Sequence, residues 1–419
     1  MPCESVLPVG GVLCAAILYT EPSNRSVQSF AMHKASTALM IIMMRWMAVP
    51  LIKIMETSSN RHQKKTVRVW LDGCFDAVHF GHSNSMRQAR QMGDALVVGV
   101  HNDEDIARFK GQPLFTESER YTMVSAVRWV DQLVESSTYW PTTETLSTHQ
   151  CDFAAHGDDL SIATDGRDPY QMLKVAGKLR VFRRTPGTST TDIVQRILQS
   201  DQPAQRNGII GRQTDNESGD TNALFLKNLI RLFSLPFYKL DPVTGEQQQK
   251  SGVTVWECFG DETYVELSDC AKSDKKQHRK VGYISGTWDL FHPGHLAQLT
   301  AAHSFVDHLI VGVSAASSAL LSLYERSLSV IACQFVDEVI INAPTTLSAK
   351  FTSRFHIDLV FYDSLIDSKC IDPLATEQNL VQLVTPSDRL KTQQIVDRVL
   401  ENRGKFELRN SEKINREHV

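Results

Sequence analysis

The chain has 419 residues, of which 42% are hydrophobic and 22% charged, and its formal net charge is −4 at pH 7. This length allows two or three domains of ordinary size, and the composition is typical of a folded globular protein. The slightly acidic balance excludes a general affinity for nucleic acid, which needs an overall basic field. No C-x-x-C pair occurs among the eight cysteines, so we expect reduced thiols in an intracellular protein rather than a zinc ribbon or a redox pair.

The first 65 residues have a different composition from the rest of the chain. Val6–Tyr19 is largely apolar, and Ala38–Met55 is a methionine-rich apolar run that Arg45 and Lys53 interrupt. A transmembrane span needs about 20 uninterrupted apolar residues, and a secretory signal needs basic residues before its apolar core. Neither pattern fits, which leaves a weak organelle-targeting peptide, a membrane-surface segment or a disordered extension. We predict a poorly ordered N-terminal extension over residues 1–65.

The remaining sequence contains an internal repeat. The run Gly73-Cys-Phe-Asp-Ala-Val-His-Phe-Gly-His82 returns as Gly286-Thr-Trp-Asp-Leu-Phe-His-Pro-Gly-His295, and Glu119-Arg120 returns as Glu325-Arg326. The second copy is shorter, because it has lost residues at two places. We therefore predict a first domain over residues 66–200, a linker and connector over 201–278, a second domain over 279–404 and a short tail over 405–419.

Short apolar strands alternate with helical segments in the first copy. The predicted strands are Val67–Leu71, Ala95–Val100, Gln132–Val134 and Asp152–Ala155, and the predicted helices are Ser83–Met92 and Glu117–Val130. This alternation predicts two tandem Rossmann-like, doubly wound α/β domains with parallel sheets, which bind ligands at the carboxyl ends of their strands. Between the copies, Ser200–Asp220 has the composition of a linker, and Ala223–Leu240 is predicted to form a helical connector.

Two histidines flank a glycine where the first predicted strand turns into a helix. A helix that begins at this point presents backbone amides to an anion, which suits phosphate. Glycine also lets the backbone approach a ligand closely. A lone histidine is usually a packed or surface residue, but the duplication of this motif argues against a structural accident. We predict a nucleotide site that contains Gly73, Cys74, Phe75, Asp76, His79, Gly81 and His82.

A second polar segment, Arg183–Val194, combines a basic pair, a glycine turn and hydroxyl groups at a predicted helix start. Arginine binds phosphate oxygens through paired donors, and the hydroxyl groups supply helix caps and further donors. An ordinary capped helix is the alternative interpretation. We predict that this segment binds the nucleotide through Arg184, Thr185, Gly187, Ser189, Thr190 and Thr191.

The H-x-G-H motif, after a strand and a glycine turn, resembles the signature of the nucleotidyltransferase superfamily, whose members attack the α-phosphate of a nucleoside triphosphate. The second segment resembles the R-T-x-G-x-S-T-T motif of cytidylyltransferases, and departs from it at Pro186, where that family usually has an acidic or amide residue. Two tandem copies and the run Asp72–Arg90 look most similar to the phosphoethanolamine branch. The phosphocholine branch has one domain followed by a long amphipathic helix, for which Glu401–Val419 is too short. A phosphocholine enzyme, an adenylyltransferase and a non-catalytic scaffold are the alternatives.

The resemblance implies CTP and phosphoethanolamine as substrates, with Mg²⁺ on the nucleotide. It also implies that Lys110 holds phosphates of both substrates and that His156, Gly157 and Asp158 contact the nucleotide. The acceptor phosphate is largely dianionic at neutral pH, so no general base is needed. We therefore expect catalysis by positioning and charge stabilisation, without metal ligands from the protein. The predicted catalytic residues are His79, His82, Lys110 and Arg184.

The second copy has lost parts of this pattern. Tyr362–Ser364 replaces His156–Asp158, Pro386–Lys391 replaces the arginine segment, and no lysine corresponds to Lys110. We expect the second domain to bind nucleotide weakly or not at all, and to pack against or regulate the first. The residues that would contact a nucleotide there are Thr287, Trp288, His292, Gly294 and His295.

For the whole protein, the resemblance implies a cytoplasmic location, with peripheral association at the endoplasmic reticulum as an option. Beyond the two substrates we expect no nucleic-acid partner and at most peripheral membrane contact. A homodimer is an open alternative.

Overall fold

Both copies of the repeat fold as α/β layers in a computed structural model of the chain, which describes residues 65–159, 163, 166–200, 217–241, 244, 246–260, 262–268 and 279–417. The predicted N-terminal extension lies outside the described residues apart from Lys65, and most of the predicted linker also lies outside them. From Thr66 onward the chain forms one compact unit.

The first lobe contains one parallel sheet and its helices. Its strands are β1 (Arg68–Gly73), β2 (Ala95–His101), β3 (Gln132–Ser137), β4 (Phe153–Gly157) and β5 (Leu179–Phe182). Its helices are α1 (Phe80–Arg90), α2 (Asp103–Phe109), α3 (Glu117–Ser125), α4 (Thr143–Thr148), α5 (Gln171–Val175) and α6 (Thr190–Ser200). The strand order β3-β2-β1-β4-β5 is that of a doubly wound half-fold. The predicted fold class is therefore confirmed.

The central strands β1, β2 and β4 are mostly buried on both faces, which explains why they are largely apolar without alternation, whereas the edge strands β3 and β5 are partly exposed. Val69 and Leu71 of β1 pack into one apolar cluster, and Trp70 between them packs into another. All seven residues of β2 are buried. Because β1 pairs with both β2 and β4, the segments that follow these three strands meet at one edge of the sheet.

The connector contributes strands to the fold as well as a helix. It contains α7 (Glu217–Ser234), β6 (Phe237–Leu240), β7 (Gln247–Lys250), β8 (Thr254–Phe259) and β9 (Thr263–Glu266). The predicted helical connector ends earlier than expected because Pro236 disfavours helix in the residue before it. β8 pairs in parallel with a strand of the second sheet, with Val253 and Val255 buried, so the second lobe begins before residue 279.

The second lobe repeats the first and extends it. Its strands are β10 (Val281–Gly286), β11 (His308–Ser314), β12 (Glu338–Ala343), β13 (Leu359–Asp363) and β14 (Val381–Val384). Its helices are α8 (Pro293–His303), α9 (Leu323–Ile331), α10 (Ala349–Phe355), a 3₁₀ turn (Ser368–Cys370), α11 (Pro373–Glu377), α12 (Thr392–Glu401) and α13 (Arg403–Glu417). The sheet order is β14-β13-β10-β11-β12-β8-β9, which is the order of the first sheet with two connector strands added.

The two lobes pack about a local two-fold axis. Val127 bridges to Cys333, its own counterpart in the repeat. On either side of this bridge, Arg128 N donates to Ala332 O and Gln334 N donates to Ala126 O, each at 2.9 Å. The predicted helix Glu117–Val130 therefore ends at Ser125, because the next residues bond to the other lobe instead of continuing the helix.

Reciprocal ion pairs surround this axis. Arg398 of α12 makes two hydrogen bonds of 2.8 Å to Glu119 of α3. Arg196 of α6 pairs in the same way with Glu325 of α9, at 3.0 and 3.1 Å. In each lobe, the glutamate of the repeated Glu-Arg pair thus binds an arginine from the last repeat helix of the other lobe. Because both the glutamate and the arginine occur in each copy of the repeat, each lobe carries the residues that the other lobe binds.

The predicted tail at 405–419 is helical over most of its length. Helix α13 follows the second lobe in sequence but packs on the first, where Phe406 is buried beside Leu114 and Ile193. Asn410 donates to Thr191 O at 3.4 Å. Phe406 is 3% exposed whereas Leu408 is 60% exposed, so Phe406 rather than a continuous apolar face makes this contact.

Candidate active site

The turn after β1 has an unusual backbone. Phe75 and Ala77 have φ values of 49° and 48°, in the left-handed region that non-glycine residues rarely adopt. The second lobe repeats this at Trp288 (53°) and Leu290 (49°). Strain of this kind costs about 1–3 kcal/mol per residue and persists only where the surrounding structure enforces it. Its presence in both lobes indicates that the turn conformation belongs to the motif.

The two histidines of the first lobe cap helix α1. His79 is the N-cap residue, and its Nδ1 accepts a hydrogen bond from Gly81 N at 3.1 Å. His82 Nδ1 accepts from His79 N at 3.4 Å, and the two rings stack with centroids 3.9 Å apart. Because Nδ1 is the acceptor in both rings, the proton of each neutral imidazole lies on Nε2. Both side chains are therefore oriented as Nε2–H donors.

Gly81 is required by its surroundings. A Cβ atom there would lie 2.7 Å from Thr188 Cγ2 and 2.9 Å from the His79 ring. The histidine motif therefore packs directly against the Arg183–Val194 segment. Thr185 reinforces this contact, because its buried Oγ1 accepts a hydrogen bond of 2.9 Å from Asn84 Nδ2 on α1.

A cleft of about 350 Å³ lies on the arginine segment, whose Thr188 packs against Gly81 of the histidine motif. It is lined by Asp158, Arg183, Arg184, Thr185, Pro186, Gly187, Thr188 and Asp192. Arg184 N donates to Asp158 Oδ1 at 2.8 Å, and its guanidinium lies 2.7 Å from Asp159 Oδ2. These bonds join the two segments that were predicted separately to contact a nucleotide. Gly187 has a φ of 79° with nothing within 4 Å of a Cβ position, so its role is conformational.

Three of the predicted side chains hold the site together. Asp76 is buried and accepts hydrogen bonds of 2.9–3.0 Å from Leu114 N and Phe115 N. Thr190 Oγ1 donates to Asp76 O at 2.8 Å. Ser189 Oγ accepts from Asp192 N at 3.1 Å, as a helix cap does. Cys74 is buried and offers its carbonyl oxygen to a buried arginine, and Thr191 presents its carbonyl oxygen to α13.

Lys110 and His156 interact electrostatically from different elements, and neither is among the residues that line the cleft. Burial lowers the pKa of both His101 and His156. The charge of Lys110, which is exposed at the end of α2, lowers both pKa values further. His156 Nδ1 lies 3.0 Å from Gly157 O, and its ring packs against Tyr170. A Cβ on Gly157 would lie 2.5 Å from Asp159 Oδ1, so a larger residue there would displace the Asp159 side chain that binds Arg184.

A buried polar group lies beneath the turn and was not found from the sequence. Asp72 accepts a hydrogen bond from Tyr170 Oη at 3.2 Å and lies 3.9 Å from His101 Nε2. Burial raises the pKa of Asp72 to about 7, although hydrogen bonds from Tyr170 and Trp70 oppose the shift. Burial also lowers the pKa of His101 to about 3, so that ring is neutral. Asp72 directly precedes Gly73 of the motif, which was the available signal.

Arg120 is the second buried group that the sequence analysis left without a role. Its side chain is fully enclosed and donates to Cys74 O at 2.8 Å, to His101 O at 2.7 Å and to Asp103 Oδ1 at 2.7 Å. The Arg120 side chain therefore holds the turn after β1 against the end of β2 by hydrogen bonds. Its recurrence as Arg326 in the repeat was a signal for this role, and Arg326 donates to Thr287 O and Ser314 O in the same way.

The matching site of the second lobe is closed. A Cβ on Gly294 would lie 2.0 Å from Leu390 O, so the 386–391 segment lies directly on the motif. His292 Nε2 lies 3.2 Å from Thr392 Oγ1, and His292 Nδ1 accepts from His295 N. Trp288 is buried and donates to Gly312 O at 2.8 Å. Burial lowers the pKa of His292 to about 4 and that of His295 well below its ordinary value.

A family model and the curated relatives all describe cytidylyltransferases. The model of the family described as "Cytidylyltransferase-like" matches residues 70–196 and 283–399, one match in each lobe. Ethanolamine-phosphate cytidylyltransferase of Mus musculus is 36% identical over 84% of this chain and 90% of the relative. The Dictyostelium discoideum protein of that name is 37% identical over 86% of this chain and 97% of the relative. Choline-phosphate cytidylyltransferase 2 of Arabidopsis thaliana is 41% identical, but over 32% of this chain and 46% of the relative.

The part of the chain that the structure describes contains no helix long and apolar enough to cross a membrane.

Proposed function

The chain belongs to the ethanolamine-phosphate cytidylyltransferase family, and we propose that its first lobe transfers CMP from CTP to phosphoethanolamine. The products are CDP-ethanolamine and pyrophosphate, and the reaction is a step of phosphatidylethanolamine synthesis. The observation that supports this most is the junction of the stacked histidines with the arginine-lined cleft through Gly81 and Thr188. This contact brings the histidine motif and the arginine segment, which are distant in the sequence, next to each other, and binding of a triphosphate needs several such groups in one place.

The proposed reaction is an in-line displacement at phosphorus. An oxygen of the acceptor phosphate bonds to the α-phosphorus of CTP, and the bond from that phosphorus to its bridging oxygen breaks. Pyrophosphate leaves with the electron pair. His79 and His82 offer Nε2–H donors, and Lys110 and Arg184 offer positive charge, so these groups stabilise the charge that develops on the transferred and leaving phosphates. The acceptor is already dianionic, so the protein need not remove a proton.

We also propose that a magnesium ion accompanies the triphosphate. Among the described residues no group of three or more His, Cys, Asp or Glu side chains could hold a metal ion. The cleft nevertheless contains two carboxylates, Asp158 and Asp192. Mg²⁺ is commonly bound through one or two carboxylates together with substrate phosphates, so this lining fits a nucleotide-borne ion. The ion would neutralise charge on the triphosphate and on the leaving pyrophosphate.

The buried Asp72 supports an amine-bearing acceptor. A buried carboxylate without a cationic partner is costly, as its raised pKa reflects. An ammonium group would lower that pKa and stabilise the charged form. Asp72 lies beneath the turn that carries the histidine motif, beside Tyr170 and His156. We therefore assign Asp72 as the counter-charge for the head group.

The first experiment is a pyrophosphate-release assay with CTP and phosphoethanolamine, with phosphocholine in parallel. The expected result is turnover with phosphoethanolamine that His79→Ala abolishes. Asp72→Asn should raise the KM for phosphoethanolamine while the KM for CTP changes little. Absence of turnover with both acceptors would refute the proposed reaction, and faster turnover with phosphocholine would reassign the substrate.

We propose that the second lobe does not transfer CMP. The support is the contact of Leu390 with Gly294, which leaves no room for phosphate beside His292 and His295. Replacing both histidines (His292→Asn with His295→Gln) should leave the rate of transfer unchanged in a protein that folds normally. A complete loss of turnover in that variant would show that the second lobe takes part.

We further propose a cytoplasmic location with peripheral contact at the endoplasmic reticulum, in line with a product that enters lipid synthesis. Cell fractionation tests this: the protein should be in the cytosolic fraction, or leave membranes on a high-salt wash. A homodimer stays a prediction, which sedimentation equilibrium of the full chain decides.

A further inference from the structure

The C-terminal helix reaches the active site of the other lobe. Arg409 of α13 donates from Nη1 to Gln112 O at 2.8 Å, and the same atom lies 3.4 Å from Asp76 Oδ2. Its aliphatic carbons cover Gly111, where a Cβ would lie 3.1 Å from Arg409 Cγ. Gly111 has a φ of 99° and directly follows Lys110.

The loop that carries Lys110 is held at two ends by different means. At its start, Lys110 N and Gly111 N both donate to Ile106 O. At its end, Leu114 N and Phe115 N donate to Asp76. Between these anchors, the carbonyl oxygen of Gln112 accepts a hydrogen bond from Arg409.

Arg409 is itself a well-fixed side chain. Its guanidinium lies 5.0 Å from the ring centroid of Phe406, which is 3% exposed. One turn of the same helix also contacts α6 through Asn410 and Thr191. Helix α13 therefore touches both the lysine loop and the start of the helix that follows the arginine segment. A guanidinium in this position both orients the loop and offsets the charge of the buried Asp76.

Resting on the proposed function of the first lobe, we propose that Arg409 is a positioning residue for Lys110. It fixes the loop 110–115 so that the lysine ammonium is held at the phosphates, and it makes transfer in the first lobe depend on a helix that follows the second. Arg409 does not itself touch substrate in this scheme.

The test uses the full chain with Arg409→Ala, and Arg409→Met as a second variant that keeps the apolar stem on Gly111 but removes the guanidinium that contacts Gln112 and Asp76. Both should lower kcat/KM about 10- to 100-fold, as small misplacements of a catalytic group do. Lys405→Ala, an exposed cation on the same helix, is the matched control and should leave kcat/KM unchanged. Normal turnover in Arg409→Met would overturn the proposal.

A double-mutant cycle separates positioning from general support of the fold. In a Lys110→Ala background, Arg409→Met should lower kcat/KM by no more than about twofold further, because the group it positions is gone. If instead the two losses multiply in full, Arg409 acts elsewhere and the assignment to Lys110 is wrong.

A second readout does not depend on activity. Trypsin cleavage of the Lys110–Gly111 bond under native conditions, followed by mass spectrometry, should be several-fold faster in Arg409→Met than in wild type or Lys405→Ala. An unchanged cleavage rate would contradict the loop-fixing role. Should wild type show no turnover at all, the proposed reaction fails, while the cleavage rates still decide whether Arg409 holds the loop.

Discussion

At the scale of single residues, His79 combines two tasks in one imidazole. Its Nδ1 accepts the capping hydrogen bond of helix α1, so the proton of the neutral ring lies on Nε2, the donor that the proposed reaction uses. In the proposed reaction, capping therefore decides which nitrogen donates to the substrate. The two tasks can be separated by substitution, because asparagine caps helices well but lacks the imidazole donor.

We expect His79→Asn to unfold at nearly the wild-type temperature while kcat falls about 100- to 1,000-fold, the cost of losing one preorganised donor. His79→Ala loses the cap as well, and should be less stable by about 1 kcal/mol. Thermal unfolding and steady-state kinetics on the two variants check this. A kcat above one tenth of wild type in His79→Asn would argue against the donor role.

The raised pKa of Asp72 leads to a prediction about how the free energy of unfolding depends on pH. Its pKa is raised from 3.8 to about 7, so between these values the folded state holds a proton that the unfolded state has released. The contribution of this carboxyl group to the free energy of unfolding therefore falls as the pH rises from about 4 to 7, and is constant above that range. Asp72→Asn removes this dependence.

The stability of Asp72→Asn relative to wild type should accordingly increase between pH 4 and 7, by an amount on the order of a few kcal/mol. Urea unfolding at several pH values measures it. A difference between the two proteins that is the same at pH 4 and pH 8 would mean that Asp72 ionises normally in the folded state.

At the scale of elements, the turn before α6 places the arginine segment by its backbone conformation. Gly187 needs a positive φ and has free space around it, so alanine there is strained without any clash. Gly177, in the turn before β5, has a φ of 63° and equally free space, but lies outside the cleft lining. The two glycines form a matched pair.

Both Gly187→Ala and Gly177→Ala should lower the free energy of unfolding by roughly 1–2 kcal/mol. Only Gly187→Ala should also raise the KM for CTP, because it moves Arg184 and Thr185. Chemical denaturation and CTP titration of both variants provide the comparison. An equal rise in KM for both would attribute the effect to lost stability instead of turn geometry.

At the scale of the whole molecule, the two lobes form an internal dimer with unequal halves. The ion pairs Arg398–Glu119 and Arg196–Glu325 are equivalent by symmetry and each has one partly exposed arginine. Removing either arginine should therefore cost a similar, modest amount of stability, about 1 kcal/mol. The functional outcome should differ, because Glu119 adjoins Arg120 of the first lobe.

We expect Arg398→Ala to lower kcat/KM several-fold and Arg196→Ala to leave it close to wild type. The two variants control for each other in thermal unfolding and in the pyrophosphate-release assay. A larger loss of activity in Arg196→Ala would show that the second lobe contributes to transfer.

Local patterns were sufficient for much of this protein. The apolar runs Ala95–Val100 and Asp152–Ala155 predicted strands because a strand buried on both faces must be apolar throughout. The duplicated histidine motif and the arginine segment indicated the phosphate site, because glycines and caps act within a few residues of themselves. The connector strands β8 and β9 were not predicted, because β8 pairs with β12, which lies far along the chain, and β9 pairs with β8.

The fold of each lobe, the tandem arrangement and the two polar segments of the candidate site were predictable from local patterns. Three features were visible only after folding: Asp76 anchors a loop, Leu390 closes the second site and Arg409 contacts the loop of Lys110. Each of these features depends on contacts between residues that are distant in the sequence. Their free energy comes from burial and hydrogen bonding after the lobes have packed, so such contacts leave no periodic signal in the chain.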